Sequence, residues 1–210
     1  MDFASEWSLF YDQMFTYDGY KKVLDGLLAT VEIAVFGLLI GIVIGTVLAI
    51  AKVVPKYHVF PKICSGIADV YIALFRGTPM VVQLLIGYFV LLAALDTPLH
   101  PVAVAIIIFG LNSGAYVSEI MRSGINSVDR GQLEAGRAVG LSYSVSMFKI
   151  VIPQALKNIL PTLGNEFIVL VKETSVASFI AVTDLTKAFR DIADANYCLL
   201  YTSPSPRDRG

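Results

Sequence analysis

Six polar side chains, Glu32, Asn112, Ser113, Glu119, Glu166 and Lys172, interrupt stretches that are otherwise apolar. A charge or an amide costs free energy where water is absent, so such groups face protein or a water-filled path and mark where a polar solute could pass. Nothing around them has the spacing of bond-breaking chemistry. There is no HExxH or GxSxG pattern, and no GxxxxGK[ST] loop to cradle phosphate. His58 and His100 stand apart from acids at ligand spacing, and Cys64 and Cys198 form no CxxC. Neither a metal site, a disulfide framework nor acid–base catalysis is indicated.

The elements that position these residues are membrane helices. With 56% apolar and 16% charged residues and a mean hydropathy of +0.69, the chain carries more apolar surface than a soluble domain of its length can bury. The formal net charge of -1 excludes a broad basic face, so no nucleic-acid partner is expected. Residues 26–51 are broken by a single acid and make a helix ~39 Å long, enough to cross a bilayer with some tilt. Further apolar runs cover 77–95, 101–121 and about 165–182, giving four spans. Gly37, Gly41 and Gly45 form two overlapping GxxxG patterns on the first span, where another helix can approach closely.

Charge distribution orients the spans. Segment 52–62 carries Lys52, Lys56 and Lys62 without an acid, while 96–100 has no Lys or Arg. The positive-inside bias places 52–62 in the cytoplasm and the amino terminus outside. Residues 1–24, acidic and without a basic head, are not a signal peptide. Alternation makes 122–161 cytoplasmic too, and this loop of about 40 residues is longer than a simple bundle connection. Within it, Asp129 can cap a helix over about 130–139, with Gln132 placed for a capping box, and Gly140 is the type expected just past its end. Ser142 can cap a second helix over about 143–152, which Pro153 should end or hinge. The outer face mixes Glu134, Arg137 and Lys149 with small Ala135, Gly136 and Ala138, a composition suited to close docking.

At this point the chain resembles the polar amino-acid permeases of ABC importers. Their loop signature is EAA, three residues, Gly, nine residues, then I-x-L-P. Here it stands as Glu134, Ala135 and Gly136, then Gly140, then Ile150, Ile152 and Pro153, with Gly136 for the second Ala and Ile152 for Leu. The segments LFRGTPMVVQLL, LNSGAYVSEIMRSGINSV and LPTLGNEFIVLVKETSVAS are similar to the same family, in the family's order.

The resemblance implies an all-α, polytopic transmembrane helix bundle of the ABC importer type I permease kind, with four spans present of an expected five. It implies an external arm over 1–24 and a permease domain over 25–197 in the bacterial inner membrane, with a coupling loop at 122–161. The chain would be a transport subunit with no ATPase site or cofactor of its own. Glu134, Ala135, Gly136, Arg137, Gly140, Ile150, Ile152 and Pro153 would meet a cytoplasmic ABC ATPase dimer, which uses ATP and Mg. A second permease copy or paralogue, an external amino-acid-binding protein and a polar amino acid complete the implied set of partners within the lipid bilayer. A zwitterionic cargo needs a donor for its carboxylate and an acceptor for its ammonium, and Lys172 with Glu166 or Glu119 is chemically suited. Glu119 and Lys172 can alternatively reach the membrane interface from near their span ends, and Glu32 can pair between helices. Arg76 is expected beside the inner interface, contacting lipid phosphate or bracing the fold.

The final stretch, CLLYTSPSPRDRG at 198–210, departs from the family pattern. CLLYTSPSPRD is similar to the conceptual translation of a transposase-type sequencing adapter. The expectation is that 198–210 is foreign sequence, against the competing reading of a Pro/Ser-rich disordered tail.

Overall fold

The computed structural model describes residues 7–8, 11–16, 18–54, 59–92 and 99–196. The tail at 198–210, Lys56, His58, Cys198 and residues 1–6 of the arm lie outside them. Every element among the described residues is helical, which is how an apolar chain satisfies its own backbone where water cannot.

Helix α1 spans Gly19–Val53 and is 35 residues long, roughly 52 Å, so it overshoots a hydrocarbon layer of about 30 Å. Its outward stripe, including Phe36, Leu39, Val43, Val47 and Ile50, is exposed. The inward stripe is glycine. A Cβ at Gly41 would lie 2.6 Å from Ser113 Oγ, and one at Gly45 would lie 2.7 Å from Val117 Cβ. Ser113 and Val117 belong to α4, Pro101–Asn126, whose own Gly110 and Gly114 receive Ile40 and Ile44 of α1 in return. The expected GxxxG stripe is thus one side of a reciprocal seam.

Between them runs a bent pair. Helix α2, Val59–Gly77, and helix α3, Met80–Leu85 continued by a π-helical stretch over Ile86–Leu91, meet at a 103° bend. Pro79 has no N–H and biases Thr78 away from helical geometry, so α2 stops there. The Gln83 side chain donates to Phe75 O at 2.8 Å and to Thr78 O at 3.0 Å, satisfying carbonyls that the break leaves open. Residues 77–95 therefore do not form one straight span; the bent pair together is the candidate for the second span by length and composition, and α2 is helical where the sequence reading placed a lysine-bearing loop and the approach to a span. α2 packs through buried Ser65, Ala68 and Ile72, and Tyr71 donates to Leu111 O at 2.7 Å.

After α4 come α5, Arg130–Ala138, and α6, Tyr143–Ser146, which passes through a π-turn over Met147–Val151 into α7, Ile152–Glu173. Pro153 neither ends nor hinges this rod. The Ile152 N–H bonds to Met147 O, five residues back, and the widened turn accommodates the proline ring. The fourth run is also not one helix. α7 gives way at Glu173 to a 3₁₀ segment, Thr174–Ile180, which ends at Ala181 with φ 63°. Thr174, Ser175 and Ser178 donate to the carbonyls of Val171, Lys172 and Ser175, a local competition that tightens the turns.

By length and composition, α1 and α4 each qualify as membrane spans and the α2–α3 pair as a third. α7 is too polar for that test, with Lys157, Glu166, Lys172 and Glu173 along it. The core sits in the half of the bundle away from Lys52, around Ile33, Leu84, Phe109, Leu170 and Ile180. There α8, Leu185–Asn196, is capped by the buried Asp184 carboxylate, which accepts from the N–H groups of Thr186 and Lys187. The Leu185 N–H reaches Thr30 Oγ1 of α1 at 3.1 Å.

The seam predicts opposite signs for the same substitution at two glycines. Gly45→Ala should lower the thermal midpoint of the purified protein in detergent, the clash with Val117 costing about 1–3 kcal/mol. Gly66→Ala, with nothing within 4 Å of the new Cβ, should raise it through helix propensity worth up to ~1 kcal/mol. Matching shifts at the two positions would contradict the close approach of α1 to α4.

Candidate functional site

Two features stand out: the hairpin formed by α5 and α6, and a polar face on α4.

The hairpin is built by its caps. Asp129 Oδ1 accepts from the Gly131 N–H at 2.7 Å, and Ser142 Oγ accepts from the Val145 N–H at 3.4 Å. The Gln132 side chain does not complete a capping box; its Oε1 accepts from Gln154 Nε2 at 3.4 Å. Past α5, Gly140 takes φ 87°, while the N–H groups of Gly140 and Leu141 bond to Arg137 O and Gly136 O. This pair of bonds is a Schellman motif, and its left-handed position is why the residue there is glycine. Gly136 is buried, not part of the outer docking face. A Cβ on it would fall 2.8 Å from both Ile150 Cδ1 and Ser146 Oγ, so a glycine in place of alanine lets α5 lie directly on the α6–α7 rod. Ile150 and Ile152 are half-buried. Glu134, Ala135, Arg137, Ala138, Lys149 and Pro153 remain exposed. Beside them Val139 and Phe148 are 78% and 68% exposed, more than a water-facing hairpin needs.

The polar face of α4 carries Asn112, Tyr116, Glu119 and Ser123, at intervals of four, three and four residues. At about 100° per residue it lies some 150° from the glycine face that meets α1. Two cavities lie along it. One of about 350 Å³ is lined by Arg76, Tyr116, Glu119, Ser123, Asn158 and Thr162, among others. The other, of about 370 Å³, is lined by Arg76, Thr78, Asn112, Tyr116 and Glu173, among others. Both share Arg76 and Tyr116, whose guanidinium carbon stands 5.2 Å from the ring centroid, a cation–π contact. Tyr116 is roughly 15 Å along α4 from its Asn126 end, and the exposed Arg76 stands level with it.

The other sequence candidates fall in distinct places. Asn112 is buried and donates to Phe75 O and Gln83 Oε1, bracing the bend. Buried Ser113 donates to Glu166 Oε1 at 3.3 Å, behind the polar face. Glu119 joins an ion network: Lys52 Nζ is 3.1 Å from Glu119 Oε1 and 3.0 Å from Asp69 Oδ1, and Arg122 is 2.5 Å from Glu119 Oε2. It ties α1, α2 and α4 together. Glu32 and Lys172 are exposed and line neither cavity. His100 caps α4, its Nδ1 accepting from the Val102 N–H. The sequence reading missed Tyr116, Ser123, Asn158, Thr162 and Glu173. The helical period of polar residues from Asn112 to Ser123 was the available signal.

Residues 37–202 match the family described as the binding-protein-dependent transport system inner membrane component. The chain belongs to that family. It is 40% identical over 175 residues to the arginine transport system permease protein of Bacillus subtilis, covering 83% of this chain and 78% of the relative. To the glutamine transport system permease protein of Escherichia coli it is 36% identical over 176 residues, covering 83% and 78%. Among solved structures, it superposes on an amino acid ABC transporter crystallised with histidines with a TM-score of 0.79 and 36% identity, over 94% of this chain and 85% of that one. An inward-facing methionine ABC transporter gives 0.63 at 17% identity, over 94% and 84%, a likeness of fold. The protein is thus an all-α inner-membrane permease component of an ABC importer, a family that works with a binding protein and an ATPase carried on separate chains.

The ion network carries a test of its own. Glu119→Gln leaves Lys52 and Arg122 facing a neutral amide and should destabilise the protein by about 1–3 kcal/mol. Adding Lys52→Met should recover part of that loss, read as non-additivity in a double-mutant cycle of unfolding midpoints. Strict additivity would show that the contacts do not act together.

Proposed function

We propose that this chain is the membrane subunit of an ATP-driven importer for a polar amino acid, and that α5 and the start of α6 transmit the work of a cytoplasmic ATPase dimer. The observation that carries this reading is the hairpin itself. It exposes Glu134, Arg137 and Val139, with Phe148 exposed on the π-turn that follows, and through buried Gly136 it lies against the rod that becomes α7. A polar and apolar mixture held on a rigid mount suits docking into a protein groove. The arginine and glutamine permeases among its relatives support a polar amino acid as cargo.

In this reading the hairpin end faces the cytoplasm and the amino terminus faces outward, supported by the lysines at 52–62 and the basic residues of 122–161. ATP and Mg are used by the partner ATPase; this chain has no phosphate-cradling loop. A second permease copy or paralogue covers the polar face of α4, because Arg76 beside that face is exposed and a charge is costly against lipid. An external amino-acid-binding protein delivers the cargo.

Reversing one contact on the hairpin tests the coupling role. Arg137→Glu should cut co-purification of the ATPase and ATP-dependent uptake at least tenfold, a loss of about 1.4 kcal/mol or more at the interface. The thermal midpoint of the isolated permease should hold, since the Arg137 side chain is exposed. Undiminished uptake by this variant, paired with an undiminished Glu134→Lys variant, would remove the hairpin from the coupling surface.

A further inference from the structure

The described part of the arm before α1 presents aromatic and polar side chains at matching intervals of four. Tyr11 and Phe15 are 56% and 58% exposed, with their ring centroids 5.0 Å apart. Trp7, four residues before Tyr11, is 54% exposed. Asp12 and Thr16 each follow one of these rings in sequence. Both are exposed, and Thr16 Oγ1 donates to Asp12 Oδ1 at 3.3 Å. Residues four apart stay on one side of a helical turn, here the π-turn over Asp12–Thr16. Three large rings left open beside a polar stripe mark an interaction surface.

α1 sets the level of this patch. Its apolar stretch begins at Gly26, and Gly19 stands about 10 Å earlier along the helix. Headgroups extend about 5–8 Å beyond the hydrocarbon on each side of a bilayer, so the first turns of α1 emerge at headgroup level. Asp18 then breaks the axis. Its φ of 57° and ψ of 25° are left-handed, so the arm does not continue α1 outward as one rod. Lys21 Nζ stands 2.8 Å from the Asp18 carboxylate and 5.8 Å from the centre of the Tyr20 ring, bracing that corner. Leu24, Leu27 and Leu28 are exposed in the turns that follow, so apolar exposure continues from the arm into the lipid-facing part of α1.

We propose that Trp7, Tyr11 and Phe15 seat the arm in the boundary between headgroups and acyl chains at this end of α1, with Asp12 and Thr16 turned to water. Tryptophan and tyrosine, each an apolar body with one polar handle, belong in that layer. No Lys or Arg precedes Lys21, so the acidic arm suits neutral phospholipid rather than an anionic surface. The anchor matters because α1, at roughly 52 Å, exceeds the hydrocarbon thickness of about 30 Å. Its length alone fixes neither depth nor tilt, whereas interfacial aromatics do. The arm thereby sets where α1, and the glycine seam it shares with α4, sits along the bilayer normal.

Trp7 is the single tryptophan of the chain, so its fluorescence reads the arm alone. The full chain is reconstituted in phosphatidylcholine vesicles, and three quenchers are compared. One is phosphatidylcholine brominated near the glycerol end of its acyl chain, one is the same lipid brominated near the methyl end, and one is iodide on both sides of the membrane. The shallow bromolipid should quench Trp7 at least twofold more than the deep one, and iodide should quench it at least threefold less than free N-acetyltryptophanamide. Tyr11→Ser combined with Phe15→Ser should raise iodide quenching at least twofold while the helical circular dichroism stays unchanged, since both side chains are exposed. Iodide quenching equal to that of the free indole, with neither bromolipid effective, would place the patch in water, open to a protein partner. Equal quenching by the two bromolipids would deny it a place at the boundary. Unchanged iodide access in the double variant would show that the three rings do not act together. Each of these results would overturn the proposal.

Discussion

Two backbones in contact set the geometry of this protein. α1 and α4 touch through Gly37, Gly41 and Gly45 on one side and Gly110 and Gly114 on the other, with Phe109, Val117, Ile40 and Ile44 filling the spaces between. Within lipid there is no hydrophobic drive to bring helices together, so such close van der Waals packing has to supply it. The seam also fixes the rotation of α4. With its glycine face committed to α1, the face carrying Asn112, Tyr116, Glu119 and Ser123 is turned roughly the opposite way, toward α2 and α7. A one-residue rotation of α4 would swing that face by about 100° and separate Tyr116 from Arg76.

A second constraint connects the seam to the hairpin. α6 and α7 form one rod through the π-turn at Met147–Val151, and that rod carries Ile150 under Gly136 at one end and Asn158, Thr162 and Glu173 along the polar path. No loop therefore intervenes between the contact under α5 and the cavity-lining residues of α7. Asn158 donates to Ser127 Oγ at 2.8 Å, fastening the rod where α4 ends. An apolar cavity of about 440 Å³ lies between this rod and the ends of α1 and α4. In the opposite half Leu84, Phe109 and Leu170 close the core.

Much of the hairpin was legible in the sequence because its signals are local: Asp129, Gly140 and Ser142 each bond within a few residues, and all three act as their types predict. The apolar periods of α1 and α4 were legible for the same reason. Pro153 misled because the rule that proline ends a helix assumes an ordinary α-turn before it, and a π-turn removes the clash. α2 was missed because Lys56 and Lys62 drew its start into a loop, although the apolar run at 63–75 was there to be read. Gly136 looked like part of an exposed face, yet its role is set by Ile150 and Ser146, which lie beyond the Gly140 turn.

The central claim, that the α5 hairpin is a cytoplasm-facing surface covered by an ATPase, is tested most directly by labelling one position on it. With the native cysteines replaced, Ala135→Cys should react with a membrane-impermeant maleimide in inside-out vesicles but not in right-side-out cells, and the reaction should be suppressed when the ATPase is bound. Labelling from the outer face, or labelling that the ATPase leaves unchanged, would contradict the account.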